Sequence, residues 1–170
     1  GGGGEFAFGP LRLPMRTPQE AHVIREIFAE EQYRVEAAEP LHVWDVGANV
    51  GFASVYFAGA LGCSVTAFEL FPNLAERARA NLEANGLSDR ATVHAVGIGE
   101  LGELELDFYP VSAASNGLFG NFAPDRAGQV ERVRVQVTSV ESALETLRRE
   151  SGDKTLFAKI DCEGAEYAIF

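Results

Sequence analysis

Three six-residue runs rich in apolar side chains, Leu41 to Val46, Ser64 to Glu69 and Ala91 to Val96, set the pattern of the first half of this chain. The first is almost continuously apolar, as expected of a strand buried on both faces. Segments with helical spacing separate the runs. Val50 to Leu61 predicts one helix. Pro72 and Asn73 open another, in which Leu74, Ala78 and Leu82 share a face. Asn85-Gly86 is a C-terminal stop, with Leu87 placed to supply the accompanying apolar contact. Upstream, Thr17-Pro18-Gln19-Glu20 combines a cap, a first-turn proline and a capping-box acid, and Ile24, Ile27 and Phe28 follow at helical spacing. This helix is expected to pack against the sheet or to cover a ligand pocket. Strands alternating with helices predict a parallel sheet with right-handed crossovers, an α/β fold.

The second half changes period. Leu104, Leu106 and Phe108 alternate with polar residues, as do Val133, Val135 and Val137, which predicts two half-exposed antiparallel strands. Between them, Pro110 to Gln129 is rich in Gly, Ala, Ser and Asn and reads as a lid, in which Asn116 is a candidate contact to a polar ligand. Thr138 to Glu141 reads as a capping box for a helix ending near Glu150, with Ala143, Leu144 and Leu147 facing inward. Leu156 to Asp161 is an apolar strand interrupted by Lys159 and closed by an acid. Gly1 to Gly4 read as linker, so residues 1–16 are expected to be a flexible segment ahead of one domain, 17–170.

Composition narrows the partners. Fourteen Lys and Arg against 25 Asp and Glu give a net charge of −11, which argues against nucleic acid, whose backbone needs basic surface. No apolar run is long enough to span a bilayer, so no membrane partner is expected. The two cysteines, Cys63 and Cys162, have no zinc-type spacing and read as thiols of a reducing, cytoplasmic setting.

The candidate chemistry starts at Asp45-Val46-Gly47-Ala48-Asn49-Val50-Gly51, a strand end, an acid and a glycine turn before a helix. Gly47 and Gly51 lack a Cβ and so allow close backbone approach. Dinucleotide binders place a middle glycine here to seat a pyrophosphate. This turn lacks it, and Asp45 would repel a pyrophosphate but accept an ammonium, directly or through water. Glu69, at the end of the next strand, is placed to accept hydrogen bonds from ribose hydroxyls. An adenosine carrying an amino-acid end, S-adenosylmethionine, fits both acids; NAD does not.

Together with Phe68-Glu69-Leu70-Phe71-Pro72-Asn73, Asn81-Leu82-Glu83-Ala84-Asn85-Gly86-Leu87 and Lys159-Ile160-Asp161-Cys162-Glu163-Gly164-Ala165-Glu166, the turn resembles the FkbM family of methyltransferases, from about Leu41 to Phe170. The resemblance implies a Rossmann-like class I methyltransferase fold, a mainly parallel sheet with flanking helices and strand order 3-2-1-4-5-7-6. It implies S-adenosylmethionine-dependent methylation, typically of a hydroxyl on a natural product or sugar. Asp45, Gly47, Asn49 and Gly51 would line the methionine end, Glu69 would hold the ribose, and Ala95, Val96 and Gly97 would lie at the adenine. Against that fold the chain reads as truncated after the fourth parallel strand, with Leu156 to Asp161 an apolar edge open to self-association.

Asp161 ends that strand, on the side where open α/β sheets bind ligands. It is expected to contact the methionine end, orient an acceptor hydroxyl or act as general base; Glu163 is the second catalytic candidate. Either Glu163 or Glu166 could pair with Lys159 or cap the helix that follows. No second cluster supports a metal, so none is expected. His94 and His42 read as core or edge histidines, and Trp44 as packing. The competing reading is a non-catalytic domain that binds the cofactor or a partner through the same fold.

Overall fold

The computed structural model describes residues 4–36, 39, 41–100, 102–110, 116–117, 120–121 and 130–162. Three parallel strands follow the expected order: β3 (Leu41–Val46), β4 (Ser64–Phe68) and β5 (Ala91–His94). Ahead of them lie β1 (Gly4–Phe8), β2 (Leu11–Met15) and helix α1 (Pro18–Ile24), which continues as a wider π-helical turn, Arg25–Ala29. Helix α2 (Phe52–Val55), likewise widened over Tyr56–Ala60, joins β3 to β4, and α3 (Pro72–Ala84) joins β4 to β5. The chain then gives β6 (Gly97–Ile98), β7 (Gly102–Phe108), a two-residue pair β8 (Asn116–Gly117) and β9 (Gly120–Asn121), β10 (Glu131–Thr138), α4 (Val140–Ser151) and β11 (Thr155–Ile160).

The main sheet has the order β11-β3-β4-β5, all parallel, with β11 beside β3 in the register Lys159 to Asp45. Helices cover both of its faces, giving the α/β fold that the pattern predicted, in the Rossmann-like form that the family resemblance implied. One face carries Val43, Val65 and Val93 into the large core with α2, α3 and Phe28; the other carries Trp44, Val46 and Phe68 against Ala143 and Leu147 of α4. The strands alternate faces at every residue, so β3 sends Asp45 to the α2 side and His42 and Trp44 to the α4 side. Among the described residues β11 is an edge strand, and Leu156 is exposed.

The structure corrects three expectations. Residues 1–16 are not a flexible segment throughout: β1 and β2 form an antiparallel hairpin. Leu11 and Leu13 alternate into the core, Phe6 and Phe8 pack on Phe28 at ring-centre distances of 5.8 and 5.3 Å, and Asn85 clamps the Arg12 backbone through two hydrogen bonds of 2.7 and 2.8 Å. The third strand ends at His94 rather than Val96, because the chain leaves the parallel sheet and Gly97 pairs with Val137 of β10. Helix α4 is capped by Ser139, whose hydroxyl accepts from Ser142 N, not by Thr138, which is still the last residue of β10.

β7 and β10 pair antiparallel as expected, with Leu106 opposite Val133 and Leu104 opposite Val135. Their other face is a ladder of opposite charges, Asp107 with Arg132 and Glu103 and Glu105 with Arg134. Most of the candidate lid lies outside the described residues, as do the side chain of Asn116 and all of Glu163 to Phe170. Among the described residues no helix is long and apolar enough to cross a membrane.

Candidate functional site

Asp45 and Lys159 are each the last but one residue of a strand, and the parallel register sets them side by side. The Asp45 side chain is 0% exposed. Ser54 of α2 donates its hydroxyl to Asp45 Oδ2 at 2.6 Å. Lys159 Nζ stands 3.0 Å from Oδ1, an ion-pair contact off the line of a hydrogen bond, and donates to Gly47 O at 2.8 Å. Burial favours the neutral amine, but the negative charges of Asp45 and Asp161, together with Tyr33, outweigh it and hold the Lys159 pKa above its ordinary value. Among the described residues the acid beside this lysine is Asp45; Glu163 and Glu166, either of which the sequence offered as its partner, lie outside them.

The turn from Gly47 to Gly51 uses up its own amides. Gly47 N and Ala48 N both donate to Phe68 O, at 2.9 and 3.1 Å, and Gly51 N donates to Ala48 O at 2.8 Å. Asn49 N donates to Glu69 Oε2 at 2.7 Å, and Val50 N to the Asn49 side chain at 2.7 Å. That local bond suits the positive φ of 53° that Asn49 adopts. No turn amide is left to cradle a phosphate, which removes the pyrophosphate reading on geometric grounds.

The two glycines make room for the protein rather than only for a ligand. A Cβ on Gly47 would collide with the Asp161 carbonyl oxygen, and one on Gly51 would fall 2.8 Å from the Cβ of Ala78 on α3. Both residues also hold positive φ, near 80°.

Glu69 is buried and bridges two loops. Its Oε1 accepts from Phe71 N at 2.9 Å, opposite the Asn49 bond on Oε2. Burial raises its carboxyl pKa, and the two backbone N–H groups and the Lys159 charge pull the other way without cancelling the rise. One lone pair on each oxygen stays uncommitted by these bonds.

A cavity of about 300 Å³ opens between this turn and α1, at the lower end of small-molecule sites. Gly47, Ala48, Asn49 and Val50 form one wall, and Val23, Glu26 and Ile27 face them. Lys159, Asp161 and Tyr33 also line it, while Asp45, Gly51 and Glu69 do not. So α1 covers the pocket, one of the two roles expected for it. Glu20 of the lining is tied to Arg77 at 2.8 Å, and Glu26 to His22 at 3.2 Å. Asp161 is exposed, its backbone fixed by Asp161 N donating to Val46 O at 3.0 Å. Tyr33 stacks near Phe57 at 5.9 Å; burial raises its phenol pKa, Lys159 opposes that, and Asp161 adds to it.

The carboxyl ends of β3, β4 and β11 thus gather Asp45, Gly47, Asn49, Gly51, Glu69 and Asp161. Ala95, Val96 and Gly97 follow the carboxyl end of β5, next to His94, whose carbonyl accepts from Glu69 N, but they do not line the cavity: Ala95 packs against the large core, Val96 beside Trp44 and Phe68, and Gly97 under Leu70. Lys159 and Tyr33 were missed as site residues. The available signal for Lys159 was a lysine set one residue before the end of an apolar strand, the same offset as Asp45 in its own.

Residues 45–170 match the family model described as Methyltransferase FkbM domain. No curated protein shows significant sequence similarity. Among solved structures, a SAM-dependent methyltransferase from Agrobacterium tumefaciens is 18% identical with a TM-score of 0.41, covering 56% of this chain and 32% of its own. The mitomycin 7-O-methyltransferase MmcR is 20% identical at a TM-score of 0.40, covering 47% and 27%. An RNA methyltransferase from Salinibacter ruber, in complex with S-adenosyl-L-homocysteine, is 14% identical at 0.32, covering 72% and 94%. The chain spans about a third of the length of the first of these. Identities and scores this low carry no acceptor or activity across.

Proposed function

The chain belongs to the Methyltransferase FkbM domain family, and on that premise we propose that it serves S-adenosylmethionine-dependent O-methylation of a hydroxyl on a small molecule, sugar or natural product. The observation that carries this reading is the glycine turn itself. It opens on a cavity at the carboxyl ends of β3 and β11, has no amide left for a phosphate, and is flanked by carboxylates at Glu69 and Asp161. Such a site suits a ligand that carries positive charge and hydroxyls rather than phosphate. The net charge of −11 agrees with a small-molecule partner rather than nucleic acid. The buried, unpaired Cys63 thiol agrees with a cytoplasmic setting.

Asn49 and Tyr33 would hold the methionine end of the cofactor, the outer lone pairs of Glu69 its ribose, and Ala95 to Gly97 its adenine. When bound, S-adenosylmethionine supplies an electrophilic methyl group. The chain's part is to orient the acceptor, exclude water under α1 and take the proton that the hydroxyl loses. Asp161 is the group for that proton, as the exposed carboxylate on the cavity wall. Glu163, two residues on, is the second candidate and lies outside the described residues.

The test is transfer of label from methyl-labelled cofactor to a panel of hydroxylated acceptors, beside calorimetry with S-adenosylhomocysteine. Labelled product is expected, with Asp161→Asn lowering turnover at nearly unchanged affinity. Glu69→Ala should weaken binding by about 1.5–3 kcal/mol, the range for hydrogen bonds to a charged group. Binding without transfer to any acceptor would support a non-catalytic cofactor-binding domain instead.

A further inference from the structure

Resting on the reading of this cavity as a cofactor site, we propose that Lys159 is a positioning residue of that site: its ammonium, not a ligand's, is the cation held by Asp45, and its bond to Gly47 sets the turn that walls the cavity. Asp45 is fully buried, and its two oxygens face Ser54 and Lys159. It does not line the cavity, so a ligand ammonium would have to displace the lysine to reach it.

The turn is gripped at two points by opposite charges. The Lys159 ammonium holds Gly47 O at 2.8 Å, and the Glu69 carboxylate holds Asn49 N at 2.7 Å. Gly47 in turn lies against the Asp161 carbonyl so closely that even a methyl group would not fit between them. A shift of Gly47 must therefore move either the turn or Asp161. Lys159 acts through Gly47 on both, and through Asp45 it removes one carboxylate from the site's unpaired charge. Asp161 is left as the exposed carboxylate on the wall, since Glu20 is paired with Arg77 and Glu26 is half-buried beside His22.

The double variant Lys159→Met/Asp45→Asn tests this, because it removes the cation without stranding a buried anion. Two measurements are made on it and on Lys159→Arg: amide hydrogen exchange of Gly47, Ala48 and Asn49 in the ligand-free protein, and calorimetric affinity for S-adenosylhomocysteine. The double variant should stay folded, exchange at the turn about 10-fold faster or more, and bind about 10- to 100-fold more weakly, as expected for loss of a charge-assisted bond. Lys159→Arg, which keeps a cation and its donors, should recover most of both. Wild-type exchange and affinity in the double variant would overturn the proposal, as would equal losses in the arginine variant. If the unaltered protein fails to bind S-adenosylhomocysteine, the cofactor reading fails, and the exchange result alone decides whether Lys159 sets the turn.

Discussion

Two buried polar clusters occupy opposite faces of β3, and they are stabilised differently. On the α2 face, near the strand's carboxyl end, Asp45 and Lys159 form an ion pair anchored to Ser54 and to the carbonyl of Gly47. On the α4 face, His42 sits between Ser64 and Thr66, with both ring nitrogens 2.8 Å from a hydroxyl. Thr66 donates to Glu150 at 2.7 Å, Lys154 donates to Ser64 at 2.9 Å, and His94 lies 3.0 Å from the other Glu150 oxygen. Because the Thr66 proton is committed to a carboxylate, His42 Nε2 must carry the hydrogen and donate to Thr66. Nδ1 is then the acceptor for Ser64. The first cluster trades a large desolvation cost against full charges; the second keeps its most buried members neutral and leaves the charges on the less buried Glu150 and Lys154. The charged cluster holds the glycine turn against β11, and the neutral chain ties α4 to β3, β4 and β5.

The contrast breaks most sharply at Lys159. Lys159→Met leaves the Asp45 carboxylate buried without a cation, a change that costs about 3–5 kcal/mol. Urea unfolding near neutral pH should show that loss, and adding Asp45→Asn should recover most of it. A single variant as stable as the parent would mean that the pair contributes nothing beyond its desolvation cost.

These clusters also mark what the sequence could and could not reveal. Leu41 to Val46 was legible because it is buried at every position and apolar almost throughout, and the helix after Pro72 because its burial recurs at helical spacing, so local pattern and tertiary packing agree. The Asp45 turn and Glu69 were legible because strand ends next to glycines carry their own chemistry. The Asp45–Lys159 pair was not, since it depends on which strand neighbours β3 and in what register, over a separation of more than a hundred residues. The end of β5 was misplaced for a similar reason: Ala95 and Val96 continue the apolar pattern, but Gly97 is claimed by β10. In the hairpin, the glycine-rich start masked the alternation of Leu11 and Leu13.

A smaller effect sharpens the neutral side. Thr66→Val keeps the shape of a fully buried residue but deletes the hydroxyl that accepts from His42 and donates to Glu150. Leaving a buried donor without its acceptor costs about 1–3 kcal/mol. Chemical denaturation at pH 7 should register a loss in that range, with S-adenosylhomocysteine affinity unaffected because the chain of bonds does not reach the cavity wall. A fall in affinity as large as that from Lys159 variants would erase the division of labour between the two faces.

The smallest expected effect is a slope. Burial depresses the His42 pKa below its ordinary 6.5, the nearby Lys154 charge lowers it further, and Glu150 opposes both. In the unfolded chain the imidazole titrates at its ordinary value, so between that value and the lower folded one the unfolded state binds a proton that the folded state refuses. Stability contributed by neutral His42 is therefore complete above the unfolded pKa and lost as pH falls through the window down to the folded one. One proton sets a ceiling of about 1.4 kcal/mol per pH unit on this slope. Unfolding free energy measured from pH 7.5 to 5 should fall more steeply for the parent than for His42→Gln, which cannot titrate. Parallel curves would show that His42 gains its proton without disturbing the chain of bonds, and the neutral cluster would then be as tolerant of charge as the ion pair on the other face.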